Sequence, residues 1–182
     1  WFEVRISKHG YAARREGIDC FITLNPQTYQ TDVKEILPGG YLVYDNTMPR
    51  NFSRKDINYI GIPMASICAE NYDDPRQRQL FKNIVCLGAL AALLKIDIKI
   101  IESLIKEDFE KKPKLIPPNI KALYLGRDFA LENLDCDLNV GLKKIRTTKK
   151  KILIQGNEAA GLGCVYGGAT VVGWYPITPS TS

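Results

Sequence analysis

The chain has 182 residues, 45% of them apolar and 25% charged, a globular composition that fits one domain or one domain plus a piece of another. Its net charge of +5 is local: Lys143, Lys144, Arg146, Lys149, Lys150 and Lys151 lie between Asp137 and Glu158 with no acid among them, so the rest is slightly acidic. No aromatic residues interleave with that run to stack bases, so it reads as a solvated linker or surface strand and no nucleic-acid partner is expected. The longest apolar run, Ile84 to Leu94, is far short of the roughly 20 residues a membrane span needs, and no membrane partner is expected either. No charged-then-apolar leader opens the chain. Trp1 stands where Met would begin a protein, and Ser182 falls inside a patterned stretch, so both ends read as cut.

The first element is a compact apolar run, Ile18 to Leu24, bounded by Gly17 and Asn25-Pro26. It reads as a strand. Asn25 can cap a helix with Pro26 at its first position, stopped by Pro38-Gly39-Gly40. Two further apolar runs follow, Tyr41 to Tyr44 and Ile57 to Ile62. Strand, helix and strand at these intervals predict a parallel sheet with crossover helices.

Asp74-Pro75-Arg76-Gln77 opens a long helix, with Asp74 as cap, Pro75 in the first turn and Gln77 placed for a capping box. Its middle is apolar nearly all round and should be deeply buried. Ile98, Ile101, Leu104 and Ile105 give a shorter amphipathic helix, and Pro117-Pro118-Asn119 starts another that carries Leu123, Ala130 and Leu134. These elements form an α/β domain over residues 1–137. A basic linker, 138–151, leads to a third segment, 152–182, that reads as strand (Ile152–Ile154), helix (Asn157–Tyr166), strand (Ala169–Trp174) and loop. One β-α-β unit is too small to bury a core of its own.

The five cysteines, Cys20, Cys68, Cys86, Cys136 and Cys164, are widely spaced with no C-x-x-C pair. No disulfide framework, zinc site or iron–sulfur site is expected from this segment, and a reducing cytoplasmic setting is. His9, the only histidine, has no assignable triad partner and reads as a surface residue. Arg14-Arg15 beside Lys8 reads as an exposed turn, with an anion contact as the other possibility. Asp73-Asp74 reads as helix capping.

Two features of the third segment carry chemistry. Gly156, Gly161, Gly163, Gly167 and Gly168 crowd one short helix and its ends, although each mid-helix glycine costs about 1 kcal/mol against alanine. Close helix-on-strand packing accounts for them, and so does close approach of a cofactor or neighbouring subunit. The dinucleotide pattern G-x-G-x-x-G is not met. Tyr175-Pro176-Ile177-Thr178-Pro179-Ser180 lies just beyond a predicted parallel strand, where open α/β sheets bind ligands. Its prolines hold the Thr178 hydroxyl in place. Thr178 as the cap of a following helix that starts at Pro179 is the competing reading.

GNEAAGLGCVYGGATVVGWYPITPSTS resembles the opening of the pyrimidine-binding domain in the alpha subunit of 2-oxoacid:acceptor oxidoreductases, which carry G-N-x-A-A-x-G and then Y-P-I-T-P-S. FEVRISKHGY, GIDCFITLNPQTY, PGGYLVYDN and DPRQRQLFKN are similar to the later portion of the gamma domain that is often fused ahead of it. The resemblance implies an α/β architecture: a Rossmann-like gamma domain followed by the first β-α-β unit of a thiamine-diphosphate-binding domain. It implies oxidative decarboxylation of a 2-oxoacid to acyl-CoA and CO2, with electrons passed to ferredoxin. Thiamine diphosphate would be shared with a beta subunit that also holds Mg²⁺ and an iron–sulfur cluster, and coenzyme A would be the co-substrate. Thr178 would be the catalytic residue, orienting and stabilising charge near the substrate carboxylate. Tyr175, Pro176, Ile177 and Pro179 would shape the substrate and cofactor side of the loop, with no metal ligand on this chain. The family's glycine-rich start would precede Trp1, and its cofactor glutamate would follow Ser182. Two other readings are a noncatalytic assembly module that covers coenzyme A, and a nucleotide-binding Rossmann-like protein.

Overall fold

The computed structural model describes residues 2–11, 13–25, 27–145, 151–173 and 175. It divides into two compact units, Trp1–Lys143 and Lys144–Ser182. The first is built on three parallel strands in the order β1 (Ile18–Thr23), β2 (Ile36–Asp45), β3 (Asn58–Ile62). Alternate residues of a strand face opposite sides of its sheet, and the core is divided accordingly. Tyr41, Val43, Ile60 and Ile62 face one layer, and Leu42 faces the other. Central β2 is the best buried, with Leu42 and Val43 wholly inaccessible.

Helices α2 (Met64–Asn71), α3 (Pro75–Leu93) and α5 (Ile116–Asn133) cover the first face. Met64, Cys68, Tyr72, Phe81, Val85, Cys86, Ala89, Leu90 and Leu93 pack with the sheet there. α4 (Ile98–Asp108) lays Ile101 and Ile105 against Ala91 and Leu123 on the outside of that pair. Asp74 caps α3 by accepting the Arg76 N–H at 2.9 Å, and Asp97 caps α4 by accepting the Lys99 N–H at 3.0 Å. The capping-box bond expected from Gln77 is not made, so Asp74 caps α3 through its own side chain alone.

The second face has a thinner cover. Phe52 stacks on Tyr59 (centroids 4.0 Å apart), meets Tyr44 edge-on at 4.7 Å and lies 5.6 Å from Tyr29. Arg54 closes this layer by donating to the carbonyls of Val33 and Ile36, each at 2.7 Å, and to Asp56.

The α/β class is as expected, and three local expectations differ. The single helix expected between Asn25 and Pro38 is two short pieces, α1 (Tyr29–Asp32) and a 3-10 turn (Val33–Glu35). Asn25 makes an Asx turn to the Gln27 N–H at 3.0 Å and no helix cap; Pro26 lies outside the described residues. Pro38-Gly39-Gly40 falls inside β2, where the register jumps from Ile18↔Ile36 to Cys20↔Tyr41. Gly39 takes φ +78 there, and its N–H donates to the Asp56 carbonyl at 2.7 Å. The glycines thus carry an irregularity in the strand, which favours residues free of a Cβ.

Helix α2 has no counterpart in the sequence reading. Finally, 152–154 and 169–173 belong to no strand among the described residues, and only the helix of the expected β-α-β unit, α6 (Gly156–Tyr166), is present. A strand exists only through its ladder, and these segments have no partner among the described residues.

Candidate functional site

The loop singled out in the sequence is described only at Tyr175, which is 75% exposed. Thr178, Pro176, Ile177 and Pro179 lie outside the described residues. What the second unit shows is the helix that leads to them. α6 opens with a reciprocal capping box between Gln155 and Glu158, in which the Gln155 N–H donates to Glu158 Oε2 at 3.2 Å. The sequence carries this signal as Gln-x-x-Glu, although the usual box starts with Ser or Thr.

The far end of α6 is closed by its glycines. Gly168 adopts φ +89, its N–H donates to the Val165 carbonyl at 3.1 Å, and the Ala169 N–H reaches back to the Cys164 carbonyl at 3.0 Å. This is the Schellman arrangement, which needs a left-handed residue just past the helix. Gly167-Gly168 therefore turns the chain out of α6 toward 169–175. Gly156, Gly161 and Gly163 are different: a Cβ added to any of them would meet no atom within 4 Å. Helix-on-strand packing does not account for those three within the described chain. Their backbone lies bare beside the exposed Leu162, Val165 and Tyr166.

The carboxyl edge of the three-stranded sheet, where open α/β sheets take ligands, gathers a polar cluster. The Thr47 hydroxyl donates to Asp45 Oδ1 at 2.6 Å and accepts the Ser66 N–H in the first turn of α2 at 3.3 Å. The Asn46 N–H donates to the Ile62 carbonyl at 3.1 Å, and the buried Thr23 hydroxyl donates to the Asn25 carbonyl at 3.2 Å. These groups satisfy one another, and their chemistry is that of a cap.

At the opposite, amino edge a cleft of about 820 Å³ is lined by Arg14, Arg15, Lys34 and Arg54 over Leu37 and Pro38. The anion contact considered for Arg14-Arg15 has competitors there. Arg14 pairs with Glu3 at 3.1 Å and Glu35 at 3.4 Å, Arg15 with Asp19 at 3.2 Å, and Arg54 with Asp56. The Asp56 carboxyl is held below its ordinary range by its hydrogen bonds from Arg54. His9 is exposed and stacks on Tyr11 with centroids 5.6 Å apart.

The core thiols are chemically quiet. Burial pushes Cys20 and Cys68 up to about 11 and Cys86 up to about 12, so at neutral pH they are protonated and pack as small hydrophobes. Among the described residues no group of three His, Cys, Asp or Glu side chains is arranged to hold a metal ion. No helix among them is long and apolar enough to cross a membrane.

Comparison with known proteins adds what this geometry lacks. The sequence pattern of the pyruvate ferredoxin/flavodoxin oxidoreductase family matches residues 1–129. The 2-oxoacid:ferredoxin oxidoreductase 2 subunit alpha of Aeropyrum pernix is 22% identical over 223 residues, which span 100% of this chain and 34% of that protein. The 2-oxoglutarate oxidoreductase subunit KorA of Mycobacterium tuberculosis is 22% identical over 208 residues, spanning 99% of this chain and 31% of that one. The structure of a 2-oxoglutarate:ferredoxin oxidoreductase from Magnetococcus marinus, with 2-oxoglutarate, coenzyme A and succinyl-CoA bound, is similar with a TM-score of 0.76 and 28% identity. It covers 90% of this chain, which corresponds to 28% of that one. The chain thus spans about a third of the length of the curated relatives it matches.

Proposed function

Because the chain belongs to the pyruvate ferredoxin/flavodoxin oxidoreductase family, we propose that it is part of the catalytic alpha subunit of a 2-oxoacid:ferredoxin oxidoreductase working in the cytoplasm. Residues 1–137 are then a gamma-type domain, 138–151 the connection, and 152–182 the opening of the pyrimidine-binding domain. The observation that carries this reading is continuity. The subunit alpha of Aeropyrum pernix and KorA align over 100% and 99% of this chain, so each spans both units in one polypeptide.

In this reading the complete enzyme decarboxylates a 2-oxoacid oxidatively, releases acyl-CoA and CO2, and passes the electrons to ferredoxin. Thiamine diphosphate, when bound, supplies the carbon nucleophile and electron sink that the decarboxylation needs. A beta subunit completes the site and brings Mg²⁺ and the iron–sulfur cluster. The bare backbone of α6 at Gly161 and Gly163 fits a helix that a cofactor or a neighbouring chain approaches closely. The Schellman turn at Gly168 ends that helix ahead of the loop in sequence. Pro176 and Pro179 then fix the backbone on either side of Ile177-Thr178, holding the Thr178 hydroxyl where it orients the substrate carboxylate and stabilises developing charge. Tyr175, Pro176, Ile177 and Pro179 are the residues this reading assigns to the substrate and cofactor side of the loop.

The test is reduction of a viologen dye by the complete subunit together with its beta partner, followed with a panel of 2-oxoacids. Reduction should require thiamine diphosphate and coenzyme A together. Thr178→Ala should lower kcat about 100- to 1,000-fold, the range for removing one preorganised hydrogen-bond donor from a site of developing charge. Unchanged turnover of Thr178→Ala on every 2-oxoacid would remove the role given to its hydroxyl. Absence of any thiamine-dependent reduction would overturn the enzymatic reading.

A further inference from the structure

Residues 134–142 run from the end of α5 to the boundary of the first unit and form neither helix nor ladder, yet they are laid down with a period of two. Leu134, Cys136, Leu138 and Val140 are half-buried and pack against the main core, while Asp135, Asp137, Asn139 and Gly141 between them are exposed. That alternation belongs to extended backbone, so this is a strand-like segment held without neighbouring strands. Past the end of α5, two backbone bonds tie it to the body: the Asn139 N–H donates to the Tyr41 hydroxyl at 3.1 Å, and the Leu142 N–H to the Leu94 carbonyl at 3.2 Å. One ion pair, Lys95–Asp137 at 2.9 Å, adds to them, with side chains 60% and 85% exposed. Lys95 makes it from a left-handed backbone, φ 57, which a residue with a Cβ adopts at a cost. Asn139 to Leu142 also border a cleft of about 470 Å³ shared with Ile18 to Cys20, so this end of the segment lies beside open space.

We propose that residues 134–142 are a releasable strap, which peels from the first unit as one piece while the sheet and the α3–α5 pair stay folded. Local opening selects parts with few fully buried side chains and few protected backbone bonds. No residue of 134–142 is fully buried. Beyond the two backbone bonds, its ties to the body among the described residues are the Cys136 thiol, donating to the Ala130 carbonyl at 3.4 Å, and the exposed ion pair. Its neighbours differ: Val85 and Ala89 in α3 and Ala122 in α5 are wholly buried. Released, an extended stretch of this length reaches about 30 Å. The released state therefore frees more chain ahead of Lys143 than the docked one. The device depends on contacts within the first unit alone, independent of the reaction proposed above.

Hydrogen exchange read residue by residue on the full chain tests it. The Asn139 and Leu142 amides should exchange at least about 100-fold faster than those of Val85 to Leu90, while remaining clearly slower than an unstructured peptide. Asp137→Asn should accelerate the two strap amides about 1.4- to fivefold, the range for losing one exposed ion pair, and leave α3 unchanged. Exchange of the strap in step with α3 would make it an integral part of the fold, and exchange at the unprotected rate would mean that it never docks. Either result overturns the proposal, as would Asp137→Asn leaving the strap unchanged or accelerating α3 equally.

Discussion

Gly88 in α3 and Gly126 in α5 let two helix backbones touch. A Cβ on Gly88 would run into the carbonyl of Leu123, and one on Gly126 into the carbonyl of Val85. Each glycine faces a rigid backbone atom of the other helix, so the crossing leaves no side chain free to move aside. Replacing either with alanine gains about 1 kcal/mol of helix propensity but drives the helices apart through the layer that holds Val85, Ala89 and Ala122. Overpacking of a tight core costs about 1–3 kcal/mol and occasionally more. We expect Gly88→Ala and Gly126→Ala each to lower stability by about 2 kcal/mol net of the propensity gain, measured as a shift in the urea midpoint by circular dichroism. Gly163→Ala, where no atom lies within 4 Å, is the internal comparison and should not destabilise. A Gly88→Ala protein as stable as the parent would show that the helices are not in backbone contact. The two crossing glycines were invisible in the sequence because they are far apart along the chain and each looks like an ordinary flaw in an apolar helix. The glycines of α6 drew attention by their crowding, and they divide into a C-cap at Gly168 and a bare backbone at Gly161 and Gly163.

At the scale of elements, what was legible followed how local the cause is. α3 was readable because Asp74 caps the helix it precedes, and α4 because Ile98, Ile101, Leu104 and Ile105 recur at helical spacing. α2 was not. Its own N-cap is Pro63, which has no side-chain acceptor, and the cap comes from the Thr47 hydroxyl at the end of β2. Pro38-Gly39-Gly40 misled for a related reason. Proline and glycine mark a break, but only pairing with β1 and the bond to Asp56 decide that the break falls inside a strand. The borrowed cap is testable. Thr47→Ala should cost about 1 kcal/mol, the usual worth of a Ser/Thr cap, and Thr47→Ser should retain most of it. Faster amide exchange confined to the first turn of α2 is the expected signature, and equal loss in both variants would locate the effect in the methyl group instead.

At the scale of the molecule, the first unit contains its own core, and none of the described residues of the second is buried. In 144–182, Ile152 is 73% exposed, Leu153 103%, Val165 67%, Tyr166 85%, Val171 87% and Val172 76%. No residue of α6 is buried. This explains why the sequence predicted strands at 152–154 and 169–174 whose described residues form no ladder here: their alternation and β-branched residues describe a sheet position, and the ladder needs further strands. The same circumstance limited how the site could be read. The loop Tyr175 to Pro179 was legible as a candidate from its place beyond a predicted strand, while the chemistry proposed for it rests on the family resemblance. All of it but Tyr175 lies outside the described residues. The relatives are about three times as long as this chain, which leads to the last prediction. In a polypeptide extended to the length of those relatives, the amides of 152–154 and 169–173 should gain protection from hydrogen exchange, and Tyr166 and Val171 should lose access to solvent-borne labels. In the 182-residue chain the same amides should exchange nearly as fast as free peptide while α3 and α5 stay protected. Protection at 152–154 in the short chain would show that the second unit builds its own ladder. Absence of protection in the long one would separate these segments from any sheet, and with it withdraw the assignment of 152–182 to a pyrimidine-binding domain.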